Sequence, residues 1–271
     1  MPLTLHHGDL VLSHFSLPRD TGISDRVQAA SLAGFQGFGW FVGDYVKHRA
    51  SGWTDQQLIN LFAENNLVLH EVDALPLNRL EHLDAAIHMA QVFQPHHVQV
   101  QGDYPDTFEN AATEIKKIAQ LAHQHNVRVA IEFVGDKNIC TASDALRLTH
   151  LSGEDNVGVQ VDIWHHIRGA NDWSMIEELP HDLIYSVQFD DGPKNPRSTN
   201  YTEDTIRYRS LPGEGEFDIP RFLNLVYGPN IDLPLSVEVI SDDLLALPVS
   251  QSAQLMATAT RNVLAQQNQS K

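Results

Sequence analysis

Short apolar runs alternate with stretches of helical spacing about eight times along the chain. That order calls for parallel strands joined by crossover helices. Strands are predicted near residues 10–16, 36–41, 67–73, 97–101, 128–133, 157–162, 184–190 and 234–239. Helical spacing or helix-start signals fall between them at Ser24–Ala33, Thr54–Asn65, Arg79–Phe93, Asp106–His125, Ser143–Leu151, Trp173–Leu179, Ile219–Tyr227 and Val249–Gln267. In the fourth of these, Ala112, Ile115, Ile118, Ala119 and Ala122 share one face, with Glu114, Lys116, Lys117 and Gln120 on the remainder, so the apolar stripe should lie on a sheet. Thr54 followed by Gln57, and Asp218 before Pro220, read as helix starts, in which a side-chain oxygen takes an unpaired backbone N–H.

Eight strands predict closure into a single (β/α)8 TIM barrel spanning residues 1–271. A doubly wound open sheet uses the same alternation, but its first strand leads into a glycine-rich phosphate turn. The corresponding stretch here, Leu12-Ser-His-Phe-Ser-Leu-Pro18, has no glycine. No low-complexity tract divides the chain, and only the polar tail Gln266–Lys271 resembles a linker.

The ends of four strands break the apolar pattern. They read Val129-Ala-Ile-Glu132, Val159-Gln-Val-Asp162, Tyr185-Ser-Val-Gln188 and Leu235-Ser-Val-Glu238. Strands buried on both faces should be nearly continuous apolar runs. Side chains also alternate along a strand, so if Ile131, Val161, Val187 and Val237 face the helices, then Glu132, Asp162, Gln188 and Glu238 all face the barrel mouth. Ala130, Gln160, Ser186 and Ser236 lie deeper on the same inward side. Three carboxylates gathered in low dielectric repel unless protonated or neutralised by a cation. Four oxygen donors suit a hard divalent ion, Mg²⁺ or Mn²⁺, better than Zn²⁺.

This ordered set resembles the xylose-isomerase-like superfamily of barrels, which includes sugar isomerases and epimerases, inosose dehydratases, dehydroshikimate dehydratases and an apurinic endonuclease. Asp162-Ile-Trp-His165 is similar to that family's Asp-x-x-His, and Arg209-Ser-Leu-Pro-Gly-Glu-Gly215 to its Arg-x-x-Pro-Gly-x-Gly. The resemblance implies one metal held by Glu132, Asp162, Gln188 and Glu238, with Glu132 and Glu238 on opposite sides of it as an acid–base pair, and a homo-oligomer. Most sugar isomerases of the family carry His where this chain has Gln188, and glutamine there resembles the dehydroshikimate dehydratase branch, as does Glu238-Val-Ile-Ser-Asp-Asp-Leu-Leu-Ala-Leu-Pro248.

The expected activity is therefore metal-dependent isomerisation or epimerisation of a small polyhydroxylated carbonyl compound, with dehydration of the 3-dehydroshikimate or inosose type close beside it. His165, expected on the loop above its strand, is the first candidate acid or base, its ordinary pKa being near neutrality. Adjacent His166 is a decoy for the same role. Arg209, in the long connection 190–216, is expected to bind a substrate oxygen, the alternative being a solvated arginine paired with Asp190, Asp191 or Glu214. Trp164 offers a flat face to a sugar ring, and Trp40, His70, Glu71, Gln99 and Gln101 are weaker candidates for the pocket wall.

Charge narrows the partners. With 18 Lys and Arg against 35 Asp and Glu, the net charge of −17 opposes nucleic-acid binding. The absence of a long apolar run or a cationic start predicts a cytoplasmic chain without a membrane partner. The lone Cys140 forms no internal disulfide and reads as an inert residue at a helix start.

Overall fold

The computed structural model describes residues 4–104, 107–227 and 231–269. Eight parallel strands close a barrel in chain order: β1 (Leu10–Ser13), β2 (Gly37–Phe41), β3 (Val68–Pro76), β4 (His97–Gln101), β5 (Arg128–Glu132), β6 (Val157–Asp162), β7 (Ile184–Phe189) and β8 (Leu235–Val237). The last strand returns to the first through Leu10↔Leu235 and Leu12↔Val237. The first and last long helices, Ile23–Leu32 and Val249–Gln269, also pack together, and Arg261 donates to the carbonyl of Ala33 at 3.0 Å.

The predicted caps form. Thr54 Oγ1 accepts from Gln57 N at 3.2 Å while Gln57 Oε1 accepts from Thr54 N at 2.8 Å. Asp218 Oδ1 accepts from Arg221 N at 3.2 Å. The helix Phe108–His123 buries Ala112, Ile115, Ile118, Ala119 and Ala122. It starts behind Thr107, and the predicted start at Asp106 lies outside the described residues, as do the last two residues of the predicted polar tail.

Several expectations need correction. The segment Trp173–Leu179 forms only the turn-length helix Ser174–Glu177. The loop expected above β6 is a helix, Ile163–Arg168, that starts directly from the strand because Asp162 caps it, Oδ1 accepting from Trp164 N at 2.7 Å. Further short helices, Val42–Ala50, Tyr201–Arg207 and Asp242–Leu245, lie in connections expected to be irregular. At four to nine residues these elements are too short to display a period that exceeds the noise of composition. Among the described residues no helix is long and apolar enough to cross a membrane.

Candidate metal centre at the barrel mouth

The registers Glu132↔Gln160, Asp162↔Gln188 and Gln188↔Ser236 bring the polar strand ends to one side of the barrel. Ile131, Val161, Val187 and Val237 are buried in the apolar layer behind them. Glu132 accepts from Gln160 Nε2 at 3.2 Å. Glu238 Oε1 accepts from Ser13 Oγ at 2.8 Å and from Gln188 Nε2 at 3.3 Å. The other end of that amide, Gln188 Oε1, is buried with no partner. A buried carbonyl oxygen without a donor costs free energy unless something electropositive fills the space before it.

Burial drives the carboxyl groups of Glu132 and Glu238 toward their protonated forms. Glu132 is pushed well above the usual carboxylate range by burial, then by the charges of Glu238 and Asp162. Glu238 is raised by burial against the pull of Arg209. Sequence reasoning named Glu71 only as a weaker wall candidate and missed Asp73; the two, two apart on β3, both point inward, and a Cβ on Gly39 would collide with each of them. Glu71 receives a short hydrogen bond from Ser236 Oγ and is pushed up to about 7, chiefly by burial. Neither oxygen of Asp73 has a partner, and burial followed by the charge of Glu71 raises it strongly. Two carboxylates at alternate positions of a largely apolar strand were the available signal. With Asp190 the interior holds an acid-rich ring that calls for a cation.

Arg209 supplies one. Its guanidinium is buried, with Nη1 at 2.8 Å from Asp190 and 3.2 Å from Asp162, and Nη2 at 3.2 Å from Glu238. Burial works against its charge, but Asp162, Asp190 and Glu238 more than offset this and raise its pKa. The solvated alternative for Arg209 therefore fails, although its pairing with Asp190 is present. Among the described residues it is the only Lys or Arg within ion-pair distance of these mouth carboxylates.

Trp164, offered as a platform for a sugar ring, has no exposed surface. Its ring lies against the guanidinium groups of Arg168 and Arg209, centroid distances 4.6 and 5.4 Å, and its Nε1 donates to Thr205 Oγ1 at 3.0 Å. It supports Arg209 from behind. Of the weaker wall candidates, Trp40 is likewise buried in the outer layer, and Gln99 Oε1 accepts from Ala74 N at 2.6 Å.

His165 does reach the mouth, with Nε2 at 3.6 Å from Asp162 and 4.0 Å from Glu132. Its Nδ1 meets the Tyr201 hydroxyl at 2.7 Å. Gly135 N donates to that hydroxyl oxygen at 3.0 Å; among the described residues Nδ1 is the acceptor that its phenolic hydrogen meets, which assigns the imidazole's own hydrogen to Nε2. Burial lowers the His165 pKa to about 4, leaving the ring neutral near pH 7. His166 faces away, against Trp173 at 4.6 Å between ring centroids.

The connection from β7 to β8 closes over these groups. Asp191 accepts from the backbone N–H groups of Gly213, Gly215 and Phe217 at 2.9–3.0 Å. A Cβ on Gly215 would strike the Asp191 carboxylate, and Gly213 has φ +84°, so both glycines of Arg209–Gly215 serve this clamp. Asp204 accepts from Arg168 Nε at 3.0 Å and from Arg197 N at 2.7 Å, fastening the helix that carries Tyr201. Cys140 stands before the helix Ala142–Ser152, its thiol 3.4 Å from Asp144.

Glu132, Asp162 and His165 can each bring a ligand atom within 4.8 Å of the others, so fold and site together define a barrel with a buried, cation-seeking centre at the C-terminal ends of its strands. Residues 27–262 match the family model described as xylose isomerase-like TIM barrel, and the chain belongs to that family. It is similar to the 3-dehydroshikimate dehydratase of Pseudomonas putida, 23% identical over 246 residues, covering 85% of this chain and 38% of the relative. It is also similar to the inosose isomerase of Halalkalibacterium halodurans, 26% identical over 158 residues, 57% of this chain and 53% of that one. The chain thus spans well under two thirds of either relative. A solved structure of the IOLI protein with a bound zinc atom shares the fold, with TM-score 0.84, 16% identity and coverage of 95% and 98%.

Proposed function

We propose that this chain is a divalent-metal-dependent enzyme that removes a proton beside the carbonyl of a small polyhydroxylated compound, with isomerisation or epimerisation as the outcome. The observation that carries the reading is the buried, unpartnered Gln188 Oε1, at the strand position paired with Asp162 and on an amide whose Nε2 donates to Glu238. Glu132, Asp162, Gln188 and Glu238 would hold the metal. When bound, it supplies the charge that polarises a carbonyl and an adjacent hydroxyl and so acidifies the neighbouring C–H.

The residues around it have separate tasks. Glu132 and Glu238 accept and return the proton. His165, bearing hydrogen on Nε2 because Tyr201 holds Nδ1, gives a hydrogen bond to a substrate oxygen. The four proposed ligands are all oxygen donors, which favours Mg²⁺ or Mn²⁺ over Zn²⁺. Arg209 balances the carboxylates, and the connection bearing Tyr201 excludes water.

Dehydration is the second reading. It is supported by the match to the Pseudomonas putida dehydratase across 85% of this chain. Incubation with Mn²⁺ in D₂O against ketoses, inososes and 3-dehydroshikimate separates the two. Isomerisation or epimerisation introduces deuterium beside the carbonyl without a chromophore, whereas dehydration of 3-dehydroshikimate generates an ultraviolet-absorbing aromatic acid. If no substrate of the panel exchanges or dehydrates, the proposed chemistry is wrong.

A further inference from the structure

A continuous line of hydrogen bonds crosses the barrel from its N-terminal face to Glu132. Arg128 Nη1 lies 2.9 Å from His96 Nε2, His96 Nδ1 3.3 Å from His97 Nδ1, His97 Nε2 3.2 Å from Gln160 Oε1, and Gln160 Nε2 3.2 Å from Glu132 Oε1. Arg128 and Glu132 are the first and last residues of β5, roughly 13 Å apart along the strand.

The direction of every bond follows from its first member. A guanidinium only donates, so His96 Nε2 accepts and the neutral ring carries hydrogen on Nδ1. His97 Nδ1 must then accept, its hydrogen sits on Nε2, Gln160 Oε1 receives it, and the Gln160 amide is left to donate to Glu132. Burial keeps both imidazoles uncharged, with His96 lowered to about 4 and His97 lowered strongly. One nitrogen donates and one accepts in each ring, and none is left over.

The same histidines invite a different interpretation, since His70, His96 and His97 can bring one nitrogen each within 4.8 Å of the others. The bonds speak against a metal there. His96 Nε2 and both nitrogens of His97 are already engaged, and the fixed positive charge of Arg128 stands against the cluster. His70 stacks flat on His96 at 5.0 Å and acts as packing.

We propose that Arg128, acting through His96, His97 and Gln160, is a positioning residue that fixes which edge of Glu132 accepts within the protein and which is presented to the metal. This rests on the metal reading of Glu132. Partners of this kind around a ligand typically change metal affinity by about 10- to 100-fold. Arg128 is exposed, so Arg128→Met removes the donor without opening the core.

The test is imidazole ¹⁵N NMR of the full chain without metal, together with calorimetric Mn²⁺ titration, on wild type, Arg128→Met and Gln160→Glu. The His97 signals are assigned by their loss in His97→Gln. The proposal expects His97 protonated solely on Nε2 in the wild type, a mixed tautomer in Arg128→Met, and Mn²⁺ binding about tenfold weaker in that variant. Gln160→Glu, which still accepts from His97 but presents oxygen to Glu132, should leave the tautomer in place and weaken Mn²⁺ alike. His97 protonated on Nδ1 in the wild type, or Mn²⁺ affinity unchanged in Arg128→Met, overturns it. Should the wild type take up no Mn²⁺, the metal reading fails by itself. The tautomer, read without metal, then decides alone: a mixture in Arg128→Met supports the directed chain, and an unchanged tautomer overturns it.

Discussion

The hydroxyl of Tyr201 stands 2.7 Å from Nδ1 of His165, so this bond joins the helix Tyr201–Arg207 of the long β7–β8 connection to the candidate centre. Removing it in Tyr201→Phe frees both tautomers of the imidazole. Turnover should fall about 10- to 100-fold with KM little changed, while the chain loses about 1 kcal/mol of stability. Steady-state kinetics beside thermal melts check this. A variant that keeps full turnover would show that the tautomer is irrelevant to the chemistry.

Arg209 is the internal cation of a carboxylate-lined mouth. Arg209→Met leaves buried charges without their partner, at a cost of about 3–5 kcal/mol. Because a divalent ion offsets the same charges, Mn²⁺ should raise the melting temperature of the variant by more than that of the wild type. Melts in EDTA and in Mn²⁺ measure this, and an equal rise in both proteins contradicts it.

Glu71 yields a pH dependence of known sign. Its folded pKa, about 7, lies above the ordinary value of 4.5. The stability it contributes is therefore full below pH 4.5 and is lost as pH rises through 7. Glu71→Gln keeps an acceptor for Ser236 and does not titrate. In EDTA, the melting temperature of the variant minus that of the wild type should climb between pH 4.5 and 7. A constant difference across that range would mean that Glu71 is not perturbed.

Much of this centre is legible in the sequence because parallel strands impose one rule on every member. Glu132, Asp162, Gln188 and Glu238 each follow a β-branched residue at a strand end, and alternation alone sends all four inward. Asp73 obeys the same rule as Glu71, but β3 shifts register against both neighbours and turns through Ala74 at φ +58°, so the end of that strand was not legible and Asp73 went unnamed. The role of Tyr201 escaped, and that of Trp164 was misassigned as a ring platform, for another reason. Their positions depend on short helices and on contacts between residues tens of positions apart, such as Trp164 with Thr205, and no local period encodes those. The sequence named Arg209 as a substrate-binding residue. Its burial among three acids is a tertiary fact.

The claim on which the rest depends is that Glu132, Asp162, Gln188 and Glu238 hold one divalent ion. Crystals grown with Mn²⁺ and measured at its absorption edge test it directly. The account predicts a single anomalous peak bounded by Glu132, Asp162, Gln188 Oε1 and Glu238, absent in Glu132→Gln. No peak at the mouth, or one confined to His70, His96 and His97, would contradict it.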